Sequence, residues 1–330
     1  MYALVFNKNG MENLKYTEYK DPSVNDNEVL IKVRIAGVNL VDYFTVVSMN
    51  VNPIPHIPGV EFAGEVIKTG KNVKSVKEGD KVTIYGRIFD GNCDMCMMGY
   101  ETLCRNGGRI GVNTTGGFAE YVSIEEKYVF KLPENYSWEL GSSMTVAALT
   151  AYHALKEAQL RLSDTLVVFG ASGNTGMFLV QLGKKFGAKV IAVSRKQWLT
   201  DFGADMIVGY EDVYEKVKDF TNGKMADVII NSLGKEFWDK SFSVVGVKGK
   251  IVTFGTLTGA EIKLNLNQLY NKHISILGTN RGNRKDFLEL LDVCRDCKVR
   301  TWKKYSLENG IEALNSLSAN DRDGRIFIVV

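Results

Sequence analysis

The chain lacks most of the features that carry a protein to nucleic acid or into a membrane. Lysine plus arginine (41) nearly balance aspartate plus glutamate (38), leaving a formal charge of +3. No polybasic block or acidic tail breaks that balance, which argues against nucleic acid and anionic lipid as partners and leaves small-molecule substrates. No apolar run approaches the ~20 residues that a membrane span needs. The opening MYALVFNKNG has no charged-then-apolar signal pattern. Histidine is scarce: His56, His153 and His273 stand alone, without metal-ligand spacing, and are expected to serve packing or surface roles. The five cysteines form two tight clusters rather than a dispersed disulfide framework, so a reducing, cytoplasmic setting and metal binding are expected. Internal repeats and low-complexity linkers are also missing. What remains is an ordinary globular composition, 45% hydrophobic and 24% charged, on 330 residues. That length is more than one core usually fills, so two domains are expected.

The stretch Thr165–Lys196 organises the rest. Its apolar run Leu166–Phe169 reads as a strand buried on both faces, followed by the turn Gly170-Ala171-Ser172-Gly173-Asn174-Thr175-Gly176. A helix over Met177–Phe186 and a second strand, Val190–Val193, complete a unit of the ~30 residues typical of a dinucleotide site. Glycine lets backbone N–H groups approach a pyrophosphate, and the helix start presents unpaired donors and a positive dipole end. The competing reading is an ordinary strand–helix crossover. The second strand ends in Ser194-Arg195-Lys196, where an NAD site usually carries a carboxylate for the ribose hydroxyls. Arginine offers a planar fork for a phosphate, so NADP(H) is the expected cofactor; otherwise the pair is a solvated turn.

Up to about Lys131, short strands alternate with glycine and proline: Tyr2–Phe6, Glu28–Ile35, Ala63–Lys68, Lys81–Tyr85 and Phe118–Ser123. This predicts a β-barrel-like domain. From Trp138 onward, helices alternate with strand candidates Met206–Val208, Val228–Ile230, Ile251–Phe254 and Ile274–Leu277, the pattern of a doubly wound parallel sheet. A final strand at Arg325–Val330 suggests that the tail returns to complete the first domain.

Asp90, Cys93, Cys96 and Cys104 give the spacing D-x2-C-x2-C-x7-C. Three thiolates and a carboxylate complete a tetrahedral zinc shell with no position left for water, which makes the expected site structural. An empty loop or a disulfide are the competing readings, and Asp90 is the weakest ligand of the four. Cys294 and Cys297, beside a predicted helix over Phe287–Cys294, read as half-buried free thiols, with a redox pair as the alternative.

Several motifs together resemble the medium-chain dehydrogenase/reductases, the superfamily of zinc alcohol dehydrogenases and quinone oxidoreductases. They are AGVNLVD (36–42), IPGVEFAGEV (57–66), VKEGDKV (76–82), GGFAEYV (116–122), LTAYHAL (149–155), VFGASGNTG, DVIINSLG (227–234) and GRIFIVV. The resemblance implies an α/β protein in which a Rossmann doubly wound parallel sheet, 149–280, is inserted into a GroES-like β-barrel-type catalytic domain, 1–148 plus 281–330. It also implies a homodimer or homotetramer.

Against that family, Asn39 stands where a zinc-ligating cysteine would be, Val60 where a histidine would be, and Val146 at the third ligand's position. Val41 replaces the hydroxyl residue that relays the alcohol proton. A catalytic zinc is therefore not expected. The similarity is to the zinc-independent quinone oxidoreductase and enoyl reductase branch, which shares the Asn39-x-x-Asp42 pattern. The expected cofactor set is Thr150 beside the nicotinamide, the loop Gly170–Gly176, Ser194–Lys196, Asn231, the turns Phe254-Gly255-Thr256 and Gly278-Thr279-Asn280, and Arg325 on a cofactor phosphate. Asn39, Asp42, Tyr43 and Thr150 form the expected catalytic group: Asn39 donates to the substrate oxygen and Tyr43 is a candidate proton donor, although Asp42, like Glu61, also reads as structural. The alternatives are a zinc-type alcohol or aldehyde dehydrogenase and a non-catalytic NADPH-binding protein.

Overall fold

The computed structural model describes residues 1–330, which divide into two compact units, Met1–Leu149 with Asn283–Val330, and Thr150–Gly282.

The second unit is built on a six-stranded parallel sheet. Its spatial order is Met206–Val208, Lys189–Val193, Thr165–Phe169, Ala226–Asn231, Val245–Thr253 and Ser275–Gly278. Counting strands along the chain, that is 3-2-1-4-5-6, the doubly wound order whose switch point lies beside the first strand. Thr165–Phe169 is buried at every residue, as a central strand covered on both faces must be. The helix after it, Gly176–Lys185, buries all its residues up to Gly183 and ends in two lysines that favour its negative end. Val167, Phe169, Ile191, Val193, Ile229 and Ile251 form the core on one side of the sheet, closed by Trp238 and Phe242.

In the first unit a seven-stranded sheet places Arg325–Val329 between Thr301–Ser306 and the long strand Glu28–Gly37. Glu28–Gly37 then pairs antiparallel with Phe62–Thr69 and with Tyr121–Glu125. Its burial alternates strictly along Glu28–Arg34, the signature of one face on the core and one toward water. The tail therefore supplies a central strand of this unit.

Four elements departed from the sequence reading. Leu40–Val47 is a helix, Thr301–Ser306 an edge strand and Lys15–Glu18 a short hairpin strand. Tyr121–Glu125 is the strand expected at Phe118–Ser123, whose first residues instead follow a segment in which Gly116, Gly117 and Phe118 N–H bond to Ile57, Gly59 and Pro58 carbonyls. No helix is long and apolar enough to cross a membrane.

Candidate functional site

Three features hold the residues singled out in the sequence: a cysteine lobe, the Asn39, Val60 and Val146 positions in the first unit, and the carboxyl edge of the parallel sheet in the second.

In the lobe, the short helix Asp94–Met97 and the 3-10 turn Glu101–Leu103 deliver Cys93, Cys96 and Cys104 to one point with Asp90. One ligand atom from each lies within 4.8 Å of all the others. Cys93 Sγ and Cys104 Sγ are 3.8 Å apart. Tetrahedral zinc with Zn–S of ~2.3 Å requires sulfurs ~3.8 Å from one another. The donor set therefore fits zinc. Asp90 Oδ1 accepts the N–H groups of Cys93 (3.0 Å) and Asn92 (2.8 Å), and its other oxygen accepts Asn106 Nδ2 at 2.7 Å. Those donors hold its carboxyl well below the usual carboxylate range, so it faces the thiols ionised. Burial, with the neighbouring thiols, pushes Cys96 up to about 12. Hydrogen bonds from the backbone of Arg105 and Cys96 lower Cys93 instead, so the resistance to ionising lies at Cys96, and a divalent ion removes that cost. Glycine is demanded by the turn at Gly91, where φ is +79°.

The positions that the family resemblance assigns to a catalytic metal, Asn39, Val60 and Val146, lie together in the first unit. Asp42 is fully buried and bridges two of them: Oδ2 accepts Asn39 N–H and Oδ1 accepts Val60 N–H, both at 2.9 Å. Asn39 caps the helix Leu40–Val47 reciprocally with Asp42, and its Nδ2 donates to Gly37 O at 3.3 Å. Glu61 reaches the third position. Its Oε2 accepts Val146 N–H (2.8 Å) and Ala147 N–H (2.9 Å), while Oε1 pairs with the Arg325 guanidinium; both partners are fully buried. The carboxylate draws these N–H groups out of the helical ladder, and Met144–Ala148 widens into a π-turn, closed by Ala148 N–H on Ser143 O.

Among the expected catalytic residues, Asn39 and Asp42 are thus engaged in the helix cap, and Asp42 also holds Val60. Tyr43 is half-buried, with its ring edge-on to Phe44 at 5.8 Å. Val41, Val60 and Val146 present hydrocarbon, which cannot ligate a metal.

In the second unit, the expected cofactor residues fall at the carboxyl ends of the strands. Gly170 has φ of +72°, and a Cβ on Gly176 would sit 2.2 Å from Gly170 O, so neither tolerates a side chain. Gly173 N–H closes the turn on Gly170 O at 2.9 Å, and Thr175 precedes the helix. Ala171 is buried, while Ser172, Gly173 and Asn174 are half-exposed. Thr150, in the first turn of the helix from Leu149, is buried. Ser194 is buried and its Oγ accepts Lys196 N–H at 3.2 Å, leaving Arg195 exposed at the strand end. Phe254 and Gly255 are half-buried beside exposed Thr256, Gly278 and Asn280. Thr279 has a buried hydroxyl without a partner, a vacancy a polar ligand would fill.

Asn231, expected among the cofactor residues, is tied into its own turn. Fully buried, it accepts Leu233 N–H (3.0 Å) and Gly234 N–H (2.9 Å) and donates to Gly234 O (3.1 Å), which commits it to its own turn. Arg325 belongs to the Glu61 pair, but its Nε and Nη1 are buried without partners. One residue was missed: the half-buried Tyr210 hydroxyl faces the Gly170 backbone N–H and lies in the field of Arg195. The Gly209-Tyr210 step after a strand end was the available signal. Cys294 and Cys297 are buried thiols with their sulfurs 3.0 Å apart, more enclosed than expected.

Comparison with known proteins agrees with this layout. Residues 25–134 match the model of the alcohol dehydrogenase GroES-like domain, and residues 175–296 that of the zinc-binding dehydrogenases. An NAD-dependent alcohol dehydrogenase of Sulfolobus acidocaldarius is 34% identical across 98% of both chains. An alcohol dehydrogenase of Geobacillus stearothermophilus is 29% identical across 96% of each. Among solved structures, a thermostable alcohol dehydrogenase from Pyrobaculum aerophilum, also solved with cobalt and zinc bound, superimposes with a TM-score of 0.92 at 34% identity, covering 100% of this chain and 99% of that one. The chain belongs to the medium-chain dehydrogenase/reductase superfamily and is an oxidoreductase of its alcohol dehydrogenase group.

Proposed function

We propose that this chain reduces a quinone or an α,β-unsaturated carbonyl with NADPH, and that its zinc is confined to the Asp90–Cys104 lobe. One observation carries the reading: Asn39, Val60 and Val146 are held together by Asp42 and Glu61, yet none of the three offers a competent metal donor. Reduction of a simple ketone concentrates charge on an alkoxide, which needs a Lewis acid or a strong donor. Hydride added to an enone or quinone instead leaves a delocalised enolate or phenolate, for which fixed hydrogen-bond donors suffice.

The bound nicotinamide supplies the hydride. Around it, the Gly170–Gly176 turn and the following helix start receive the pyrophosphate, and Thr150 and the Thr279 hydroxyl face the nicotinamide end. Arg195, exposed and beside the Tyr210 hydroxyl, receives the 2′-phosphate. Val41, Val60 and Val146 give the Asn39 cluster an apolar surface, and we assign the proton-donor role to the Tyr43 hydroxyl.

A second reading, NAD-dependent alcohol oxidation, is favoured by the names of the 34%-identical Sulfolobus protein and its relatives. The two readings separate in one assay. NADPH and NADH oxidation is followed against quinones, enones, aldehydes and enoyl thioesters, together with alcohol oxidation in the presence of added zinc. Turnover of quinones or enones with NADPH, indifferent to added zinc, is expected. Zinc-stimulated alcohol oxidation with NAD would overturn the proposal.

A further inference from the structure

Arg87 has no carboxylate to explain it. It opens the short strand Arg87–Ile88, is 9% exposed, and makes no ion pair. Its Nη2 donates to the carbonyl of Thr102, and its Nε is buried with no partner. On the opposite strand its register partner is another cation, Arg109, which also lacks an ion pair. Burial and the like charge of Arg109 work against its charge, while Tyr85 and Cys104 favour it. A buried guanidinium beside a like charge and two neutral groups is costly.

The lobe's charge accounting removes that cost. Arg105 is already neutralised, since Nε and Nη2 grip both oxygens of Asp94 at 2.6 and 2.7 Å. Three thiolates and Asp90 bring four negative charges to one point, and a divalent ion cancels two of them. The loaded site is thus a dianion enclosed by a lobe whose uncancelled cations are Arg87 and Arg109. Thr102, which accepts from Arg87, lies in the same 3-10 turn that delivers Cys104. Asp90 N–H adds a donor to Cys104 Sγ at 3.3 Å.

We propose that Arg87 is the charge partner of the Cys104 thiolate: it positions the turn that carries this ligand and tunes the site for a thiolate-bound divalent metal. The proposal rests on reading Asp90, Cys93, Cys96 and Cys104 as a zinc site. It makes a prediction whose sign differs between the two forms of the protein, because the guanidinium is unpaired in one and paired in the other.

The test compares wild type, Arg87→Met and Arg87→Lys as full chains. Zinc affinity is measured by competition with a chromophoric chelator, the thiolate-to-cobalt charge-transfer band after cobalt substitution, and melting temperature with and without metal. For Arg87→Met, zinc affinity should fall roughly tenfold or more. The cobalt band should shift, and the metal-free form should melt at or above metal-free wild type while the loaded form melts below its counterpart. Arg87→Lys keeps the charge and should retain most of the affinity. Unchanged zinc affinity and cobalt spectrum in Arg87→Met would overturn the proposal, as would an equal loss of stability in both forms, which marks mere packing. Failure of the wild-type chain to bind zinc or cobalt would overturn the zinc reading beneath it.

Discussion

The Asp90–Cys104 lobe and the Asn39–Val60–Val146 cluster lie in one unit and are built in opposite ways. In the lobe every ligand-bearing position carries a donor, and the ligand atoms converge within 4.8 Å. In the cluster the carboxylates hold the backbone, with Asp42 on two N–H groups and Glu61 on two more and on Arg325, around side chains that are an amide and two valines. These bonds hold a helix cap, a π-turn and a buried guanidinium, whatever the side chains between them carry. Donor identity, rather than scaffold geometry, therefore separates a site that binds from one that only resembles a binding site.

Breaking the cluster's scaffold should have the largest effect. Glu61→Gln leaves the fully buried Arg325 without its counter-charge, and urea denaturation should register a loss of about 3–5 kcal/mol. A loss near zero would mean that the pair is dispensable. Asp42→Ala strands the N–H groups of Asn39 and Val60 in a buried setting, at a cost of about 1–3 kcal/mol for each unsatisfied group. Conversely, the combination Asn39→Cys, Val60→His and Val146→Cys restores donors to an intact frame. It should add a second metal per chain in elemental analysis, with little added instability.

On the cofactor side, Arg195→Ala should raise KM for NADPH roughly tenfold or more while leaving KM for NADH unchanged. Equal changes for both would place Arg195 outside phosphate recognition. The smallest effect concerns a histidine that belongs to neither scaffold. His56 is buried between the carbonyls of Pro53 and Gly111, at 3.1 and 3.0 Å from its two ring nitrogens, and burial depresses its basicity. The unfolded chain takes up that proton near its ordinary value of ~6.5 before the folded chain does. Stability should therefore be complete above that pH and should fall as pH drops toward the depressed folded value. His56→Gln should flatten that slope in denaturation curves recorded across pH 5–8.

How much could be read beforehand follows the same division. The glycine turn, the second strand's end and the cysteine lobe were legible because each packs its chemistry into a short contiguous stretch. The parallel sheet was legible because its strands are unbroken apolar runs. The helix Leu40–Val47 was not: its start, Asn39 to Asp42, has capping spacing, but the same residues match a catalytic pattern, and the cap took both side chains. Thr301–Ser306 was hidden by Lys303 and Lys304, which are exposed and blunt an edge strand. The Glu61–Arg325 pair spans 264 positions, and no local pattern announces such a contact. Arg87 was invisible for a related reason: its meaning comes from the carboxylate it does not have.

The most direct test of the central claim is the zinc content of the double variant Cys93→Ser, Cys96→Ser beside wild type, both purified without added metal. One zinc per wild-type chain and none in the variant is the expected result. Zinc retained by the variant would locate a metal at the Asn39 cluster and contradict the account.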